Sequence, residues 1–186
     1  MPWKPNHPIL LDNNQGSLQH LENLSRRLQR KGQTAEYNEI IKEQVDQKIV
    51  EGAPEKPTGR VFFIPHKPVI RETATTTKMR VVYDASMRPT PNSVSLNECL
   101  NPGPPLQNKL WDILVRQRAY PVAVTADLRR AFLQIRVKEE DRDAMRFHWR
   151  TSAEEEVEAW RFTRVLFGLA PSPFLLNGIL QVHLDA

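Results

Sequence analysis

Apolar positions recur at helical spacing twice near the start of the chain. Leu21, Leu24 and Leu28 lie in a segment opened by Ser17 and closed by Arg30, Lys31 and Gly32; Tyr37, Ile40, Ile41, Val45 and Ile49 follow on one face of a second helix. Thr34 as N-cap, Gly52 as the residue after the C-cap and Pro54 as a stop bound that second helix, and both stripes predict core packing. Residues 1–16, rich in Pro and Asn, read as an extended arm. From Arg60 the pattern changes to strands: Arg60–Ile64 closed by Pro65, Pro68–Ile70, and Met79–Tyr83, with Glu72–Thr77 as a hairpin loop. Residues 86–108 read as a long connection, after which Leu106, Leu110, Trp111, Ile113 and Leu114 return to helical spacing. A β-prone run, Val122–Ala126, is expected to be a buried, rigid strand ending on Asp127. A charged turn or short helix, Lys138–Asp143, then precedes a hairpin of Met145–Trp149 and Ala159–Phe162 with an acidic tip at Ser152–Glu158. Phe167–Pro173 reads as a rigid loop opening an apolar helix through Leu184. The sum is an α+β fold with mostly antiparallel pairing.

Composition narrows the class of protein. The chain has 186 residues, enough for one domain or a little more, and a formal net charge of +4. The charge is uneven. Residues 60–90 and 109–136 each carry six basic and two acidic side chains, whereas 138–159 carry four basic and eight acidic. The basic blocks therefore flank Asp127, a distribution that fits a polyanionic partner as well as it fits a solvated surface. A single cysteine, Cys99, excludes an internal disulfide and suggests a reducing compartment. The five histidines are scattered without metal-ligand spacing, and no stretch has the ~18 apolar residues of a membrane span. A soluble, intracellular, cytoplasmic protein is expected.

Asp127 carries the chemical question. A carboxylate at the end of a buried strand is held in position, as phosphoryl transfer requires when divalent cations clamp the attacking and leaving oxygens. An Asp before a helix start is equally an N-cap. On its own the residue fits both roles.

Two further segments bear on the choice: Thr77–Asp84, where Lys78 and Arg80 alternate outward along a strand, and Arg164–Asn177, which contains Phe167-Gly168. In order along the chain, these segments and Asp127–Ile135 resemble the fingers and palm of a reverse transcriptase. The likeness is to the Pao/BEL group of LTR retrotransposons. It extends from the Pro-Trp-Lys-Pro-Asn-His-Pro arm through Ile64–Ile70 and Thr75–Ser86 to Ser95–Leu100 and the Asn101-Pro-Gly-Pro stretch.

The resemblance implies an N-terminal arm and helical lead-in over 1–56 and a partial polymerase domain over 57–186. Its fingers would be about 57–105 and 136–163, and its palm about 106–135 and 164–186. It implies that Asp127 is the first catalytic aspartate and that the Leu128 carbonyl is a main-chain ligand, both toward Mg²⁺, a hard cation that takes oxygen ligands. Phe132 would be the gate that excludes a sugar 2′-hydroxyl. Lys78 and Arg80 would hold the triphosphate, and Phe167 and Gly168 would lie beneath the nucleotide. Leu166 stands where many family members have Pro, a change expected to loosen that turn. Arg129 and Arg130 fit either template contact or a solvated face.

The partners implied are an RNA or DNA template–primer and a deoxynucleoside triphosphate, with no membrane. The family's second carboxylate pair, in a Tyr-x-Asp-Asp hairpin, does not occur in the sequence, nor does a thumb. The expectation is therefore a fragment of an RNA-directed DNA polymerase, inactive alone, with apolar faces at Phe174, Leu175, Leu176, Ile179 and Leu180 left uncovered. A non-catalytic nucleic-acid-binding module derived from a retroelement is the alternative.

Overall fold

A computed structural model describes residues 1–70, 79–152 and 154–185. The predicted loop Glu72–Thr77 and Lys78 lie outside the described residues.

Helices α1 (Asn14–Arg30) and α2 (Thr34–Asp46) bury the faces their periodicity predicts: Leu21, Leu24 and Leu28 from one, Tyr37 and Ile41 from the other. Helix α2 stops earlier than its apolar stripe. Lys48 takes a left-handed conformation (φ 54°), its N–H donates to the Val45 carbonyl and that of Ile49 to the Gln44 carbonyl. This pair of bonds is a Schellman C-cap with Lys in the position that favours Gly. Gly52 is therefore not a helix cap. Val50–Gly52 forms β1, and Ile49 belongs to the strand's approach because it packs into the core from there.

Strand β1 pairs antiparallel with β5 (Glu158–Phe162), which pairs on its other side with β4 (Arg146–Trp149), giving the order β1-β5-β4. The predicted β4–β5 hairpin is present. A second, two-stranded sheet joins β2 (His66–Ile70) to β3 (Met79–Tyr83) in antiparallel register, with Arg80 opposite Val69.

The predicted strand Arg60–Ile64 is exposed at Arg60 and buried at Phe62–Ile64, and among the described residues it carries one parallel bridge, Phe63 to Arg146. Its backbone bonds are divided between two neighbours. Phe62 and Ile64 donate to the Asp143 and Arg146 carbonyls, while Phe63 donates to Asp12 and accepts from Asn13 Nδ2. Pro65 then lacks the N–H that would extend pairing.

Within the connection 86–108, four residues form α3 (Leu96–Cys99). Ser95 accepts from the Glu98 N–H, and the Glu98 carboxylate accepts from the Ser95 N–H, a capping box.

The core joins α1 and α2 to both sheets through Tyr37, Phe62, Ile64, Tyr83, Phe147 and Phe162. Two buried histidines bridge its polar gaps. A 2.6 Å hydrogen bond links His66 Nδ1 and the Tyr37 hydroxyl, His66 Nε2 lies 2.9 Å from the His148 carbonyl, and His148 Nδ1 lies 3.1 Å from Ser17 Oγ. Burial pushes both imidazoles down to about 4, so they are held neutral at pH 7.

A buried ion network closes the far end. Asp143 is 0% exposed and accepts from the Thr58 N–H and from Arg146 and Arg161; Arg161 also reaches Glu51, its cross-strand partner, and Glu139. Burial opposes ionisation of Asp143, but the Thr58 N–H and the Arg146 guanidinium outweigh it and hold the carboxyl below its usual range.

Of the remaining helices, the short α5 (Glu139–Arg142) buries Asp141, and the other two are less covered. Helix α4 (Leu110–Gln117) contains no buried residue, and in α6 (Ser172–Leu184) only Ser172 is buried. Among the described residues no helix is long and apolar enough to cross a membrane.

Candidate functional site

A cavity of about 280 Å³ opens where three distant parts of the chain meet. Its lining includes Val81, Val82 and Tyr83 of β3, Arg130–Leu133, and Leu166 with Phe167, joined by Gln44 of α2. Each part is placed by local structure. Phe132 sits in a 3₁₀ turn, Ala131–Gln134, entered through Arg130 in a left-handed conformation (φ 52°). Beyond that turn, residues 135–137 run beside 163–165: Val137 donates to the Thr163 carbonyl and Val165 to that of Ile135. This pairing sets the rings of Phe132 and Phe167 with centroids 5.7 Å apart and tilted by 58°.

The loop carrying Phe167 is held by a residue that sequence reasoning passed over. Asn97 Nδ2 donates to the Gly168 carbonyl at 2.9 Å, and Asn97 Oδ1 accepts from the Ala170 N–H at 2.8 Å. The signal that would have found it is Ser95-Leu-Asn-Glu98, whose capping box fixes α3 against this loop. Gly168 itself has φ 98°, a conformation that L side chains rarely adopt. Leu166, in the position expected to loosen the turn, is buried, and its carbonyl accepts from Ser172 Oγ at 2.6 Å.

The structure thus brings Phe132, Phe167 and the β3 residues together, with Gly168 close behind: a Cβ built on Gly168 would lie 3.6 Å from the Tyr83 carbonyl oxygen. Arg80 is exposed on β3, and Phe167 is 75% exposed at the cavity rim. Lys78 lies outside the described residues.

Asp127 and Leu128 are placed differently from expectation. Residues 122–128 have no regular secondary structure and belong to neither sheet, and all are exposed, Val122 at 73% and Val124 at 84%. The expected buried, rigid strand is absent because an apolar run becomes a strand only beside another backbone, and neither sheet reaches it. The cap role is not met either: the 3₁₀ turn that follows is preceded by Arg130 and has no side-chain cap. Leu128 instead borders an open depression with Leu176, Ile179 and Leu180 of α6.

Among the described residues, no group of three or more His, Cys, Asp or Glu side chains is placed to hold a metal ion. Asp127 offers one hard oxygen ligand, and that donor set does not fit a two-metal centre.

Among the described lining residues the charge is carried by Arg130. Its guanidinium donates to Gln47 Oε1, on the residue that caps the end of α2, and, at 2.7 Å, to Glu43 Oε1 within that helix. The Arg130 hydrogen bond holds the Glu43 carboxyl below its usual range. Among the described residues the arrangement offers an aromatic pair running from wall to rim, a glycine loop behind it and one cation, features that suit a ligand with a flat apolar body and an anionic end. No protein-family model matches the chain, and no curated protein matches it significantly.

Proposed function

We propose that this chain is the fingers and N-terminal palm portion of a retrotransposon RNA-directed DNA polymerase of the Pao/BEL kind, inactive as an isolated chain. The observation that supports the reading is convergence. The three segments that resemble polymerase motifs are separated by tens of residues, yet 81–83, 130–133 and 166–167 line a single cavity. In this reading Phe132 and Phe167 form the surface against the sugar and base, Gly168 allows close approach, and Arg80 with Lys78 holds phosphates.

The residues' own work is to bind and orient. Apolar rings remove the nucleotide's flat faces from water, and a cation at the rim fixes the anionic end. Mg²⁺ belongs to the reading through Asp127 and the Leu128 carbonyl, but the described donor set does not complete its site. Inactivity alone follows from the same fact, since one carboxylate does not hold two metals in line.

The basic blocks on either side of Asp127 support a second reading, a nucleic-acid-binding module without chemistry. Two measurements separate the readings. Binding to a labelled RNA–DNA template–primer is expected in both, with log affinity falling linearly against log salt. Specific retention of a deoxynucleoside triphosphate in that complex is expected only of the polymerase reading. Failure to bind template–primer at low salt contradicts both, and primer extension by the chain alone contradicts its inactivity.

A further inference from the structure

The Arg130 side chain spans from the cavity to the C-terminal end of α2, and its two acceptors there, Gln47 just past the helix and Glu43 within it, are 83 and 87 residues away in sequence. Among the described residues it is also the one cation that lines this cavity, whose described lining is otherwise apolar apart from Gln44 and the Tyr83 hydroxyl bonded to it. An anionic group entering the cavity therefore meets a guanidinium already engaged by a carboxylate. Arg130 and Glu43 are both about two-fifths exposed, so their pair is weak and exchangeable.

We infer that Glu43 and Gln47 form a holding site for the Arg130 guanidinium, and that a phosphate-bearing ligand in the Phe132/Phe167 cavity takes the guanidinium over from them. Ligand-free, the contact straps α2 to the 130–133 turn across the cavity; ligand-bound, the same fork bonds phosphate oxygens. Two features make the exchange feasible. Arg130 stands at the start of the Phe132 turn, so its head swings without moving that ring's backbone. Planar guanidinium bonds two phosphate oxygens at once, whereas here its nitrogens are divided between a carboxylate and an amide oxygen. The inference rests on the nucleotide reading for the ligand's identity, but the exchange needs only an anion.

By mass action, weakening the holding site must strengthen the anion's hold by the factor the ion pair had withheld. Glu43→Gln keeps the shape of the side chain and removes its charge. The experiment titrates the wild-type chain and Glu43→Gln separately with dTTP and with inorganic tripolyphosphate, following the Arg130 side-chain Nε–H by NMR. Both ligands are expected to shift that signal, and Glu43→Gln is expected to bind each about two- to fivefold tighter, the worth of an exposed ion pair. Equal or weaker binding by Glu43→Gln overturns the exchange while leaving the nucleotide reading intact. Tighter tripolyphosphate binding by Glu43→Gln, with dTTP no better than tripolyphosphate, supports the exchange and defeats the nucleotide reading. No response of Arg130 to either anion in either chain overturns the exchange outright.

Discussion

Helices α2 and α6 are both thirteen residues long, and α6 is the more apolar, yet α2 buries Tyr37 and Ile41 completely while α6 buries only Ser172. The same contrast runs through the strands. Phe62 and Ile64 lie in an irregular extended segment and are 0% exposed, whereas the regular apolar run Val122–Val124 faces water. Apolar content creates the opportunity for burial, but stabilisation, at roughly 25 cal/mol per Å², comes only with area removed from water. The half of the molecule built from α1, α2 and the β1-β5-β4 sheet has closed that account. The region of α4, residues 118–128 and α6 has not.

The sharpest way to break this comparison is to damage each half in turn. Asp143→Ala strips a fully buried carboxylate from Arg146 and Arg161 and leaves their charges uncompensated; a loss of about 3–5 kcal/mol is expected. Leu114→Ala, on exposed α4, is expected to stay within about 0.5 kcal/mol of wild type. Urea unfolding of the two variants checks both values. Similar losses would dissolve the distinction between the halves.

A pH series tests the packed half from another side. His66 and His148 have folded pKa values lowered to about 4, against about 6.5 when unfolded. Below pH 6.5 the unfolded chain takes up protons that the folded one refuses, so stability falls as pH drops from about 6.5 toward 4, and these groups contribute no slope above that window. Each histidine adds a slope approaching about 1.4 kcal/mol per pH unit. Asp143, whose carboxyl is lowered, loses its contribution only in more acid solution. Urea midpoints at pH 7, 6 and 5 are expected to fall steadily, with His148→Gln reducing the slope by about half. A flat profile would mean that the histidines are not sequestered.

One substitution is expected to produce a gain. Lys48→Gly relieves a left-handed conformation at the end of α2 and should stabilise the chain by about 0.5–1 kcal/mol, read from the thermal midpoint. A loss instead would show that the Lys48 side chain, and not its backbone, matters there.

These regions also differ in how far they could be read from sequence. The stripes of α1 and α2 and the alternation of the β2–β3 and β4–β5 hairpins are local patterns, and they were legible for that reason. Ile49 continued the helical spacing of α2 but belongs to the approach to β1, since the turn at Lys48 uses a residue that carries no Gly signal. The Ser95–Glu98 capping box was written in the sequence and lay unread inside a Pro-rich connection. The Asp143–Arg146–Arg161 network and the Arg130–Glu43 pair were not legible, because their partners are distant in sequence and charge alone does not name them. For the candidate site, Phe132, Phe167 and Gly168 were picked out by motif and meet in space. Asp127 was picked out as the end of a buried strand, a property that depends on a neighbour the described residues do not supply.

The central claim is that Phe132 and its two companion segments form one nucleotide-selecting surface. The direct test measures binding of dTTP and of its ribose counterpart to the chain on a template–primer, for wild type and Phe132→Val. An excluded hydroxyl is worth about tenfold or more in such a pocket. Wild type is expected to prefer dTTP by about that factor, and Phe132→Val to bring the two ligands within about threefold of each other. Equal binding of both ligands by wild type, or a preference that survives Phe132→Val unchanged, would contradict the account.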